Sequence, residues 1–197
     1  YQGRKPEDRL NLTGTNHGSI EYINGKWYVF YHRNTHATEF SRQACAEPIE
    51  ILEDGTIPQV EVTSCGLNGG PLLADGEYPA VIACNITNGK MPHIQFEKKA
   101  EGVPCVTHCG EERYITGIQD HTLIGYKYFH FDGKVQLTLK VRGTGEGQLV
   151  VSNGERVLGE MVVPQGEEWK ETTTVIEVYG VAPLLLTYQG SGTMDFI

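Results

Sequence analysis

Residues 20–31 form two runs rich in β-branched and aromatic side chains, Ile20 to Ile23 and Lys26 to Tyr31, on either side of Asn24-Gly25. Asn-Gly supplies the positive φ angles of a two-residue type I′ turn, so the pattern predicts a β-hairpin. Trp27 and Tyr28 point to opposite faces of a strand, and one of them is expected in the core. A second turn falls at residues 53–56, between short apolar-polar alternations at 49–51 and 60–62. A third, Asp75-Gly76, precedes a strand-like run at 80–83. Asn88-Gly89 and Pro92 then break the rhythm, because proline cannot donate to a central strand. Beyond them strands are predicted at 93–97, 123–131, 135–142, 148–152, 172–179 and 184–188. Turns are predicted at Asp132-Gly133, 143–147 and Asn153-Gly154. Many short strands at near-even spacing, with no helical period, make the chain all-β: a hairpin-built sheet over 1–90 and an antiparallel, jelly-roll-like β-sandwich over 91–197.

Four-stranded sheets built from hairpins are the blades of β-propellers. One blade alone leaves its faces uncovered, so further blades are expected upstream. A chain that opens on Tyr1, without initiator Met or a charged-then-apolar leader, reads as a fragment or processed product, and its localisation stays open.

Composition narrows the partners. The 24 glycines suit a turn-rich all-β chain. The formal net charge is −9 with scattered basic residues, which gives no concentrated field for nucleic acid. No apolar run is long enough to span a bilayer, and a neutral ligand such as a sugar is compatible with an acidic surface. The five cysteines, Cys45, Cys65, Cys84, Cys105 and Cys109, make an odd set that does not read as a disulfide framework. Free thiols packed as small hydrophobes are the plain reading. A local Cys105–Cys109 disulfide and half of a metal site with His108 are the alternatives. Asn11-Leu12-Thr13 and Asn85-Ile86-Thr87 match the glycosylation sequon.

Two stretches carry a resemblance. The first is Gly14-Thr15-Asn16-His17-Gly18-Ser19, the hairpin strand ending Val29-Phe30-Tyr31-His32-Arg33, the run from Ser41-Arg42-Gln43 to Pro48-Ile49, and the run from Thr63-Ser64-Cys65 to Gly70-Pro71. Over residues 11–85 this resembles the closing blade of glycoside hydrolase family 43, in its xylosidase and arabinofuranosidase branches. The second is Gly125-Tyr126-Lys127-Tyr128-Phe129-His130-Phe131, Val141-Arg142-Gly143, and Gly190-Ser191-Gly192-Thr193-Met194-Asp195-Phe196. Over residues 92–197 it resembles a family 6 carbohydrate-binding module.

The first resemblance implies a five-bladed propeller that hydrolyses pentose glycosides with inversion. A carboxylic acid protonates the leaving oxygen and a carboxylate activates water on the opposite face. In the family these acids lie on earlier blades, so this chain alone is expected to be catalytically silent. It is expected to keep two supporting residues. His17 would sit near the propeller axis, where some members hold a hydrated calcium. Arg42 would reach the sugar hydroxyls, its fork of donors suiting vicinal oxygens. His32 and Arg33 are expected to be structural.

The second resemblance implies a loop cleft in which two aromatic rings trap a sugar. This sequence departs from it, with Gly117, Leu123 and Thr172 at positions where rings are common; Trp169 alone survives. The resemblance also implies a structural calcium on Gln95, Glu97 and Asp195, with Gln95 in place of a more usual carboxylate. Two functions stay open: part of a glycosidase acting on pentose-containing oligo- or polysaccharides, and a non-catalytic binding or structural sandwich.

Overall fold

The computed structural model describes residues 4–94 and 98–197. Strands β1 (Ser19–Ile23), β2 (Lys26–Arg33) and β3 (Gln43–Ile49) form an antiparallel three-stranded sheet in the order β1-β2-β3. Ile23 pairs with Lys26 across Asn24 (φ 48°) and Gly25 (φ 84°), the expected two-residue hairpin. Tyr28 is the buried member of its pair and Trp27 the exposed one.

Past β3 the expected alternation does not become a hairpin. The turn forms, with Gly55 N donating to Leu52 O at 2.8 Å and Thr56 N to Asp54 Oδ1 at 2.9 Å. Residues 57–62, however, run without ladder pairing, since Pro58 removes a donor that a strand would need. The run at Ala80–Ile82 is a 3-10 turn rather than a strand.

The remaining strands are β4 (Leu72–Leu73), β5 (Asn85–Thr87), β6 (Cys105–Cys109), β7 (Glu112–Ile118), β8 (Leu123–Gly143), β9 (Glu146–Ser152), β10 (Val157–Val162), β11 (Gly166–Ser191) and β12 (Met194–Phe196). They make one sheet that folds over on itself. In one layer the order is β6-β7-β12, then the C-terminal half of β8, then the N-terminal half of β11. In the other it is β10-β9, then the C-terminal half of β11, the N-terminal half of β8, and β5. Two predicted strand pairs are therefore single long strands. Asp132-Gly133 is no chain reversal: Gly133 (φ 105°) pairs with Val178 inside the ladder. Opposite it lie Gly180 (φ 77°) and a register shift between Ala182 and Leu184, around Pro183. These residues let both strands pass from one layer to the other. The core between the layers contains Ile115, Ile118, Val141, Val151, Leu186 and Tyr188, all fully buried.

The two regions are joined through residues that precede the expected 90/91 boundary. β4 pairs in parallel with β8 and β5 pairs antiparallel with it. Ala80, Val81, Ala83 and Ile86 share the sandwich core. Arg33 fastens the first sheet to this segment, donating to Ala83 O and Cys84 O at 2.9 Å each, a structural role as expected.

All five cysteines are free. Cys105 and Cys109 lie on one strand four residues apart, about 13 Å at the usual rise, too far for a disulfide. Asn85 of the second sequon is buried, which leaves no room for a glycan.

Candidate functional site

Two clusters bear on function. The first surrounds the 14–18 loop. Glycines at both ends let this loop lie close to the sheet: a side chain at Gly18 would collide with the Phe30 carbonyl, and one at Gly14 with Asn34. Thr15 is the hub. His32 Nε2 lies 2.7 Å from Thr15 O and so donates to it, which fixes the proton on that nitrogen. Arg42 Nη2 donates to Thr15 Oγ1 at 3.4 Å, and Arg42 Nε to Glu39 O at 3.1 Å. The His17 ring meets that of His32 edge-on, with centroids 4.7 Å apart. His17 and Arg42, 25 positions apart in sequence, are thus gathered on one exposed surface. His32, expected to be structural, is the piece that links them. Among the described residues the hydrogen bonds of this patch run to backbone carbonyls and to Thr15, none to a carboxylate. The patch can orient hydroxyls by donating to them; it contains no acid-base pair.

On the same sheet, and not singled out by the sequence for this role, is Glu47 on β3. It is only 2% exposed, yet its carboxylate is satisfied. Oε1 accepts from Thr63 N at 2.7 Å and Tyr31 Oη at 3.1 Å, and Oε2 from Thr63 Oγ1 at 2.6 Å. Burial, with Cys45 and Glu47 beside it, holds the Tyr31 hydroxyl protonated far above the ordinary phenol range. Alternation marks Glu47 only as one polar residue in a strand. Its function is to clamp the unpaired 57–63 segment. That segment and Tyr128 border an open groove of about 320 Å³ between the two regions. There Glu61 pairs with Lys127 Nζ at 2.7 Å and accepts from Tyr128 Oη at 2.9 Å. Burial alone would raise the Glu61 carboxyl, but these two donors outweigh it and hold it low.

The second cluster lies on the sandwich. Trp169, from β11, does not stand alone. Tyr114 of β7 meets it edge-on at 5.5 Å, with the rings inclined by 75°. The Arg142 guanidinium of β8 lies over both, 4.7 Å from the Tyr114 centroid and 4.3 Å from the Trp169 centroid. Trp169 Nε1 donates to Glu112 Oε2 at 3.3 Å. Asp195 of β12 accepts from Arg142 Nε at 3.1 Å and from Thr116 Oγ1 at 2.6 Å. The aromatic partner was missed because the β6–β7 hairpin was not recognised. Its signal was Gly110-Glu111 between two runs that can alternate. Gly117, Leu123 and Thr172 supply no ring, as their identities require. Gly117 (φ 71°) packs against the Val103 carbonyl, and Thr172 is buried with its hydroxyl on Val162 O.

Of the three residues expected to hold calcium, Asp195 alone lies among the described residues. Both of its oxygens are engaged, one by a guanidinium whose positive charge opposes a cation. Gln95 and Glu97 lie outside the described residues. Among the described residues no group of three or more His, Cys, Asp or Glu side chains converges on a metal position, which includes the Cys105–His108–Cys109 run. Among the described residues no helix is long and apolar enough to cross a membrane.

No protein-family model matches the chain. A protein named xylosidase/arabinosidase from Thermoclostridium stercorarium is 44% identical over 202 aligned positions, which include 96% of this chain. The chain spans only 42% of that relative's length. Among solved structures, a glycoside hydrolase family 43 arabinoxylan arabinofuranohydrolase from Bacillus subtilis, in complex with cellotetraose, superposes on 98% of this chain and 42% of its own. Its TM-score is 0.57 at 19% identity. A family 6 module from Clostridium stercorarium, in complex with cellobiose, covers 65% of this chain and 93% of its own, with a TM-score of 0.52 at 18% identity. The all-β expectation of a propeller part followed by an antiparallel sandwich is the architecture of these neighbours. In sequence the chain is similar to a bacterial xylosidase/arabinosidase, and in fold to a family 43 glycoside hydrolase over almost its whole length and to a family 6 carbohydrate-binding module over about two thirds of it.

Proposed function

We propose that this chain is part of a glycoside hydrolase acting on xylose- or arabinose-containing oligo- or polysaccharides, with the 14–18 loop, His17 and Arg42 at the edge of its sugar site. The observation that carries the reading is the 44% identity to a xylosidase/arabinosidase over almost the entire chain. The gathering of Arg42 and His32 on Thr15, with His17 edge-on against His32, supports it, because a donor-rich surface suits sugar hydroxyls. In this proposal hydrolysis proceeds with inversion. The acid and base come from propeller blades outside the 197 residues, and Arg42 binds the sugar so that the scissile bond lies between them. The first unit spans 1–90 and the second 91–197, with residues 72–87 as the part of the first that docks on the second.

The test has two arms. The purified chain should show no turnover of nitrophenyl xyloside or arabinofuranoside, and steady hydrolysis would overturn the division of labour. In the longer protein, Arg42→Ala should reduce kcat/KM by about a hundredfold with the fold intact. Unchanged kinetics would remove Arg42 from the site.

A second reading, a sandwich that acts as scaffold without chemistry of its own, draws on the pairing of β4 and β5 with β8. It expects deletion of residues 91–197 to destabilise the whole enzyme; an unaffected melting temperature would count against it.

A further inference from the structure

The aromatic corner on the sandwich is already filled from within. Tyr114, Arg142, Trp169 and Asp195 come from four different strands, yet they meet within one cluster. Two rings that bind a saccharide ring present flat faces to its C–H groups. Here the rings stand at 75°, and the space in the angle between them is taken by the guanidinium of Arg142. Asp195 holds that guanidinium by its Nε, and Thr116 holds Asp195 in turn. Glu112 holds the Trp169 indole N–H. A cation placed within reach of two aromatic rings and tied to a carboxylate makes the contacts that an aromatic ligand site would make with a bound molecule.

We propose that Arg142 is a built-in occupant of this corner: it closes the Tyr114–Trp169 site of the sandwich to neutral saccharides, and removing it uncovers a site for a pyranose or furanose ring on the Trp169 face. The choice of pentose oligosaccharides as probe rests on the functional reading above; the blocking role of Arg142 does not.

Three parts of the cluster make the claim specific. Arg142→Ala empties the corner. Arg142→Met keeps an unbranched side chain there without the charge. Asp195→Asn leaves Arg142 in place but weakens the tie that holds it. The full 197-residue chain is titrated calorimetrically with xylo-oligosaccharides, arabino-oligosaccharides and cello-oligosaccharides, while indole fluorescence is followed in a Trp27→Phe background so that Trp169 alone reports. The parent is expected to give no saturable heat. Arg142→Ala is expected to bind at least one series about tenfold or more above the parent's detection limit, with a shift in Trp169 emission. Asp195→Asn should gain less, and Arg142→Ala/Trp169→Ala should lose the gain.

Binding by the parent that Trp169→Ala abolishes would overturn the proposal, since the corner would then be open with Arg142 in it. So would silence of Arg142→Ala, or of Arg142→Met if the alanine variant does not fold, when the near-ultraviolet spectrum is native and the Trp169 emission reports a freed ring. Binding of cello-oligosaccharides alone would leave Arg142 as the occupant and count against the pentose reading instead.

Discussion

Both regions leave large apolar side chains in solvent, Tyr22 and Trp27 on the three-stranded sheet and Val162, Val175 and Tyr179 on the outer faces of the sandwich, but only the sandwich also closes an apolar core between two layers. On β1 and β2, Tyr22 is 54% exposed and Trp27 40%, and their rings pack on each other 5.2 Å apart at the surface. On the sandwich, Ile115, Ile118, Val141, Val151 and Leu186 are wholly removed from water. The difference is one of layers. A sheet has two faces, and each buries apolar surface only against another layer. β8 and β11 are long enough to enter both layers of the sandwich, so it makes its own second layer. Tyr28 and Ala46 of the first region are buried, but among the described residues none of its three strands joins a buried apolar cluster, and polar contacts tie the sheet down: Glu47 clamping Thr63, and Arg33 on the 83–84 carbonyls.

If stability resides in the closed core, the largest loss should come there. Leu186→Ala should cost about 2–5 kcal/mol in urea unfolding, the range for truncating a fully buried leucine. A loss below about 1 kcal/mol would mean that the layers collapse onto the gap. Next comes the polar clamp. Glu47→Ala leaves Thr63 N–H and two hydroxyls without their acceptor, at about 2–3 kcal/mol in sum. The chain's two tryptophans, Trp27 and Trp169, separate the regions. Glu47→Ala should lower the midpoint reported by Trp27 more than that reported by Trp169. Equal shifts would show that the seam makes the two regions one cooperative unit. Asp195→Asn removes a half-buried ion pair and should cost about 0.5–1.5 kcal/mol by the same assay. Tyr22→Ser, at the uncovered face, should change stability by no more than about 0.5 kcal/mol. A larger loss would mean that this face is covered in solution.

The smallest effect is on pH. His36 lies in the seam, where Val106 N donates to the neighbouring Thr35 O. Burial first, then the nearby His108 and Arg113, lower its pKa from 6.5. A histidine whose folded pKa is depressed binds its proton more readily when unfolded. Its neutral form therefore contributes stability above pH 6.5, and that contribution is lost as pH falls from 6.5 towards the lowered folded value. The slope of midpoint against pH in that window should flatten in His36→Gln; an unchanged slope would assign it to other groups.

Much of this is legible in the amino-acid sequence. Asn24-Gly25 dictates its own turn, because its φ angles are a property of two residues. The net charge of −9, the strand rhythm and the resemblance around His17 and Arg42 are equally local. Asp132-Gly133 shows where local preference ends. The same kind of dipeptide that reverses the chain elsewhere here bends one 21-residue strand, because Gly133 has Val178 as a ladder partner. No local property distinguishes a turn from a bend; strand pairing does. The meeting of Tyr114, Arg142, Trp169 and Asp195 is likewise beyond the sequence, since a period of two assigns each residue a face but not a neighbour. Only the register of four strands across the folded sheet brings a guanidinium from one of them between rings from two others.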